Sequence, residues 1–270
     1  MITPFSSRYA FKHSGSDGDD FCINLARAAS QLLTEDGYFH MIFQWEEPAA
    51  GAWSANLEKA LSGLGCDAWL ARIMSESSDE YTKEWISTLT EEEQTDATAT
   101  GEQAREYFRA KNIGSLGTGL LTLRRASARQ NYLWFDEAPE DRLQPYGDSV
   151  RALFDARTRM MQDGGPGLVQ AKLRASPHIT MLQTLAVRDG EWSPTSTELN
   201  LDQGLKYSFG DVDARLTKLL TYFDGRRTVK EACDVFKKEN PEVVANPCAF
   251  YLATIRELLW YGFLEFAEHG

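Results

Sequence analysis

The chain has 270 residues, enough for one large domain or two of ordinary size, each with a proper core. It holds 28 basic and 40 acidic residues, so its net charge of −12 offers no overall field to nucleic acid or an anionic membrane. No apolar run approaches ~18 residues and no basic-then-apolar leader opens the sequence, so a cytoplasmic chain without a transmembrane helix is expected. Cys22, Cys66, Cys233 and Cys248 have no C-x-x-C spacing and are expected reduced and buried. His13, His40, His178 and His269 are scattered too, which argues against a structural zinc site.

Charge divides the chain unevenly. Residues 1–150 hold 13 basic and 24 acidic side chains, and residues 151–270 hold 15 and 16. The texture changes at Glu-Ala-Pro-Glu-Asp-Arg-Leu-Gln-Pro, residues 137–145, which reads as a surface link and places a domain boundary there.

In the first half, residues 21–33 show helical spacing and stop at Thr34-Glu-Asp-Gly37. Residues 38–45 (YFHMIFQW) form a short aromatic run that reads as a buried strand. Residues 53–64 are helical, 67–74 (DAWLARIM) a second strand, and 79–89 and 100–111 helices with acidic outer faces. Residues 119–125 (GLLTLRR) and 131–135 (NYLWF) read as two further strands paired with each other. Apolar strands alternating with helices predict a sheet covered by helices.

In the second half, residues 149–161 are helical and Gly-Gly-Pro-Gly at 164–167 breaks the chain. Residues 178–187 and 198–205 read as strands around the turn Arg188-Asp-Gly190. A helix over 211–223 ends at Asp224-Gly225, Thr228 caps a second over 229–239, and Pro247 opens a third that stops at Gly262. Phe263-Leu-Glu-Phe266 then reads as one short strand. Three helices and a small strand are the pattern of a winged helix.

Three segments have the composition of a site. Gly114-Ser-Leu-Gly117-Thr-Gly119 has the glycines of a cofactor loop, but a helix precedes it and a strand follows. That order is the reverse of what phosphate binding at a helix N-terminus needs, so it reads as a loop or turn. The polar segment Arg8 to Asp20 either caps the helix after it or forms a loop offering Tyr9, His13 and Ser14 to a substrate. Trp45-Glu46-Glu47-Pro48 follows a strand and is either an ordinary turn or part of a site beyond the strand's carboxyl end.

With these residues laid out, positions 1–140 resemble the C-terminal part of a class I S-adenosylmethionine-dependent methyltransferase of the small subgroup. That subgroup carries Asn-Pro-Pro-Tyr/Phe at the end of its fourth strand, then a loop, a helix and a fifth strand. The likeness is carried by ITPFSSRYAFKHSGSDGDDFCINLARAASQLLTEDGYFHMIFQW, which starts where that motif would have finished. GCDAWLARIM and GTGLLTLRR resemble the sixth and seventh strands. Residues 149–270 resemble a winged-helix extension found on some bacterial methyltransferase-like proteins. Within them LLTYFDGRRTVKEACDVF is similar to the small peptide-binding proteins of pyrroloquinoline quinone biosynthesis.

The resemblance implies an α/β chain: a partial Rossmann-like methyltransferase sheet in residues 1–140, followed by a winged-helix-like α+β domain in residues 149–270. It implies S-adenosylmethionine as the cofactor of the complete protein. The first strands, the glycine loop and the ribose-binding acid have no counterpart here, so tight binding to this chain alone is not expected. By position after the motif, Phe5, Arg8, Tyr9, His13 and Ser14 take substrate-side roles, with Phe5 and Tyr9 walling the methyl acceptor and His13 and Ser14 hydrogen bonding to it. No residue is assigned as a general base. A sheet without its first strands has an open edge, to be covered by the missing N-terminal half or by a homo-oligomer.

The alternative is a non-catalytic interaction protein whose winged helix docks a peptide or a partner protein. Its aromatic third helix carries Phe250, Tyr251, Trp260 and Tyr261, which serve either as the docking surface or as core. The same helix has only Arg256 and Glu257 as charges, and residues 207–262 carry eight basic and eight acidic side chains, so nucleic acid is not an expected partner.

Overall fold

The computed structural model describes residues 18–87, 97–138, 147–162, 166–202 and 207–267. The chain is mixed α/β and divides into two compact units, residues 1–140 and 141–270. No helix among the described residues is long and apolar enough to cross a membrane.

The first unit runs α1 (Asp20–Leu32), β1 (Tyr38–Pro48), α2 (Ala55–Leu61), β2 (Cys66–Ser77), α3 (Ser78–Ser87), α4 (Ala97–Ala110), β3 (Ile113–Arg125) and β4 (Leu133–Glu137). The sheet order is β1-β3-β2-β4. Strand β3 is antiparallel to both β1 and β2, so β1 and β2 run parallel to each other and end on the same side. One sheet face, with Phe43, Trp45, Leu70, Leu121 and Leu123, packs on Ile23 and Ala26 of α1 and on Leu57 and Leu61 of α2. On the other face Leu116 and Ile113 meet Tyr81, Ala104 and Phe108 from α3 and α4.

Two sequence expectations change here. Strand β4 pairs in parallel with β2, not with β3. The register sets Trp134 beside Trp69; their rings stack at 5.7 Å and both indole N–H groups donate to Asp136, at 3.1 and 2.8 Å. Gly114, Gly117 and Gly119 form neither loop nor turn and lie inside β3. The Trp45 indole occupies the space above two of them: a Cβ on Gly119 would stand 2.8 Å from its ring and 2.2 Å from the Ala71 carbonyl oxygen.

The second unit runs α5 (Gly147–Gln162), α6 (Pro166–Gln170), β5 (Lys172–Ala175), β6 (Ile179–Arg188), β7 (Glu191–Leu201), β8 (Ser208–Phe209), α7 (Ala214–Leu220), β9 (Asp224–Thr228), α8 (Val229–Glu239), α9 (Pro247–Trp260) and β10 (Leu264–Phe266). Its core joins Leu173, Leu219, Phe236, Ile255, Leu258 and Phe263. Helix α7 is capped by Asp213, which accepts from the Leu216 N–H at 2.7 Å. Thr228 and Glu231 form a reciprocal capping box on α8, and Asn246 with Pro247 opens α9. The three-stranded sheet β10-β5-β9 has β5 at its centre, antiparallel to both neighbours. The second sheet is β6-β7-β8, with β6 and β7 joined by Asp189 and Gly190 at φ of 52° and 83°, the positive pair of a type I′ hairpin turn.

Candidate functional site

Parallel strands bring their carboxyl ends together, and in the first unit those of β1 and β2 gather a cluster of polar side chains. Successive side chains on a strand point to opposite faces, so Glu46 and Glu47 part company at the end of β1. Glu47 turns to the α1–α2 face and is buried. It accepts from Arg72 Nη1 at 3.2 and 3.3 Å and from the Ser75 and Ser115 hydroxyls at 2.8 Å each. The irregularity between Arg72 and Met74 in β2 inserts one extra residue, which is what brings Arg72 and Ser75 to the same face. Arg72 also pairs with Glu137 of β4, and its guanidinium lies 4.6 Å from the centre of the Trp53 ring. Trp53 stacks on Trp45, whose own indole N–H is buried without a hydrogen-bond partner among the described residues.

Glu46 turns to the α3–α4 face. The Tyr107 hydroxyl donates to it at 2.6 Å and Lys111 stands 3.8 Å away. Lys111 also donates to the Tyr107 oxygen at 2.8 Å, so phenol, ammonium and carboxylate form one chain. The Glu46 backbone N–H donates to Asp19 at 3.2 Å. Burial pushes the Asp19 carboxyl above its usual value, opposed by the Glu46 N–H that favours the charged form. Gly18 lies so close to Glu46 that a Cβ there would stand 2.4 Å from the carboxylate. Gly18 and Asp19, just ahead of α1, therefore lie against the carboxyl end of β1.

The segment Trp45-Glu46-Glu47-Pro48 is thus the end of a strand and not a turn. Phe5, Arg8, Tyr9, His13 and Ser14 lie outside the described residues. Arg72, Ser75, Ser115, Tyr107 and Lys111 were not singled out by the sequence reading. Arg72 was findable, as the only charge within the apolar run Ala68 to Met74. No group of three His, Cys, Asp or Glu among the described residues is arranged to hold a metal ion.

The second unit contains a groove of about 540 Å³. Its apolar lining includes Leu153, Leu201, Leu259 and Leu264, with Tyr207 and Tyr261 packed against each other at 4.7 Å. Arg174 on its rim is paired with Glu265 at 2.7 Å, and the Arg159 guanidinium covers the Phe266 ring at 4.1 Å. Phe263 and Ala267 direct their hydrogen bonds to β5, so alternation turns the backbone groups of Leu264 and Phe266 away from it. Of the aromatic residues of α9, Tyr251 is core, Trp260 lies 4.3 Å from the Arg157 guanidinium, and Phe250 is 61% exposed.

No known protein family and no curated protein matches the chain.

Proposed function

We propose that the first unit is the acceptor-side half of a class I S-adenosylmethionine-dependent methyltransferase domain, and that methyl transfer is the activity of the complete protein. The observation that carries this is the Asp19–Glu46 contact. It ties the segment that would follow the Asn-Pro-Pro motif to the carboxyl end of β1, where an open α/β sheet binds its ligands. Two further features support it. Helix, strand, helix, strand and returning strand occur in the order the resemblance implies, as α1, β1, α2, β2 and β3. Among the described residues β1 is an edge strand, and its unpaired side is where a preceding strand would pair.

In this reading the methyl acceptor lies at the ends of β1 and β2. Asp19 and Glu46 form one wall, Trp53 and Arg72 another, and Phe5, Arg8, Tyr9, His13 and Ser14 contribute from the segment before α1. The described residues do not fit the cofactor itself. Its sulfonium and ribose need a glycine-rich strand-to-helix turn and an acid, and the glycines at 114–119 lie inside a strand, with Trp45 over Gly117 and Gly119 and Ala49 against Gly114. No step through the cofactor is derived from this chain.

The DNA preceding the codon for Met1 tests the proposal. An in-frame continuation encoding a strand, a glycine loop and Asn-Pro-Pro is expected; an immediate stop codon overturns it. Calorimetry on the 270-residue chain is expected to give no saturable S-adenosylmethionine binding below roughly 1 mM. A low-micromolar dissociation constant would contradict the assignment of the cofactor to other residues.

A second reading belongs to the second unit. Helices α7, α8 and α9 with the sheet β10-β5-β9 support a winged-helix-like domain, in which the central strand comes from before the helices. The groove beside the outward backbone of β10 favours an extended peptide as its ligand. Hydrogen exchange with a candidate peptide should then protect α9 and β10; unchanged exchange there at saturating peptide counts against it.

A further inference from the structure

Among the described residues the hairpin β6–β7 leaves the whole outer edge of β6 unpaired, and on β7 only the stretch before its pairing with β8 at Leu199 and Asn200; the two edges differ in kind. Along β7 the free edge holds Pro194, which has no N–H to offer, and the register shift at Thr184/Leu185 leaves Thr195 as an extra residue. Both are devices that block edge pairing. Strand β6 has neither: Ile179 to Val187 reads ITMLQTLAV, nine residues without a charge or a proline. Thr180 to Leu185 are all exposed, with Met181 at 51% and Leu182 at 62%. The His178 carbonyl bonds inward to the Asp202 N–H, so alternation turns the N–H and C=O groups of Ile179, Met181, Gln183, Leu185 and Val187 outward. An open, uncharged edge beside a blocked one is a pairing surface.

We propose that two copies of this chain pair their β6 strands antiparallel about a two-fold axis at Gln183. The sequence is self-complementary about that residue. Met181 stands opposite the partner's Leu185 and Ile179 opposite the partner's Val187, all on one face, with Gln183 facing itself on the axis. No charged residue faces a like charge along the nine pairs, so the chain's net charge of −12 does not oppose the contact locally. An edge of nine residues extends about 30 Å. Pairing it buries on the order of 1,000 Å², the lower limit for a specific interface, which fits a dimer dissociating at roughly 10–100 μM. The contact is independent of the methyltransferase reading, which concerns the other unit.

Sedimentation velocity on the full chain gives the first test. At about 200 μM most of the protein should sediment as a dimer of the 30.4 kDa chain, and at about 1 μM as a monomer. Gln183→Pro removes an outward N–H and should raise the dissociation constant at least tenfold while leaving circular dichroism unchanged. Gln183→Cys avoids any folding defect, since facing residues of a hydrogen-bonded pair lie about 5.5 Å apart at Cα. Mild oxidation should crosslink it into a covalent dimer, whereas Arg188→Cys, far from the axis, and the parent chain should not crosslink. A monomer at 200 μM overturns the proposal, as does a dimer indifferent to Gln183→Pro and not crosslinked through Gln183→Cys.

Discussion

Asp67 carries its charge with no exposed surface, and does so because two guanidinium groups meet it. It accepts from Arg124 Nη2 at 2.9 Å and Arg129 Nη1 at 2.9 Å, and from the Tyr132 backbone N–H at 3.3 Å. Removing one partner of a buried ion pair leaves charge stranded. Asp67→Asn should therefore lower the urea-unfolding free energy by about 3–5 kcal/mol. Arg129→Met should cost clearly less, because that side chain keeps 23% of its surface in water. Equal losses from the two variants would show that burial does not set the energetics. Cys233 shows the same dependence on surroundings. Burial, with the neighbouring Cys248 thiol, pushes its pKa from 9.0 up to about 12. The unfolded thiol ionises near 9 and the folded one does not, so the stability this group contributes is whole below pH 9 and lost between 9 and 12. Urea midpoints should fall over that interval, and Cys233→Ala should flatten the fall.

Among the elements, legibility followed the range of the forces involved. Helix α8 was readable to the residue, because Thr228, Glu231 and the apolar spacing of Val229, Ala232, Cys233 and Phe236 all lie within eleven positions. Strands β5 and β9 were not, since KLRA and DGRRT have weak or charged strand signals and are ordered by partners far along the chain. The site divided the same way. The aromatic run predicted β1 only over 38–45, three residues short of its end at Pro48, while Arg72, Ser75 and Ser115 reach Glu47 from 25 to 68 residues away. The lone charge of Arg72 in an apolar strand was the available sign, because a charge so placed requires a partner. Gly117 and Gly119 in β3 looked like part of a loop because their cause, the indole of Trp45, lies on another strand. Gly119→Ala should accordingly cost about 1–3 kcal/mol, with the new methyl driven against backbone as well as ring. Gly147→Ala, where a Cβ meets nothing within 4 Å, should be close to neutral in the same thermal or urea melts. A neutral Gly119→Ala would mean that both the indole and the Ala71 backbone give way freely.

For the molecule as a whole, strand β5 has a consequence in time. It is the middle of its sheet, yet it precedes both neighbours in the sequence: Arg174 pairs with Glu265, 91 residues later. A ribosome adding about 5–20 residues per second leaves β5 without that neighbour for roughly 5 to 18 seconds. The first unit has a wait of its own, since β1 pairs with β3 and Tyr38 meets Arg124 86 residues later, but that wait is over before the second unit begins. Nascent chains arrested before β10 has emerged should thus resist protease through β4 while remaining cleavable between α5 and β7. Protection of both regions at that length would show that the second unit folds without its final strand. During those seconds the apolar residue of β5, Leu173, which is wholly buried at the end, has no finished sheet to enter. The vulnerable period of this protein falls after most of it has been made, and a chaperone that spares it from aggregation has to act late, on a chain whose first half is already native.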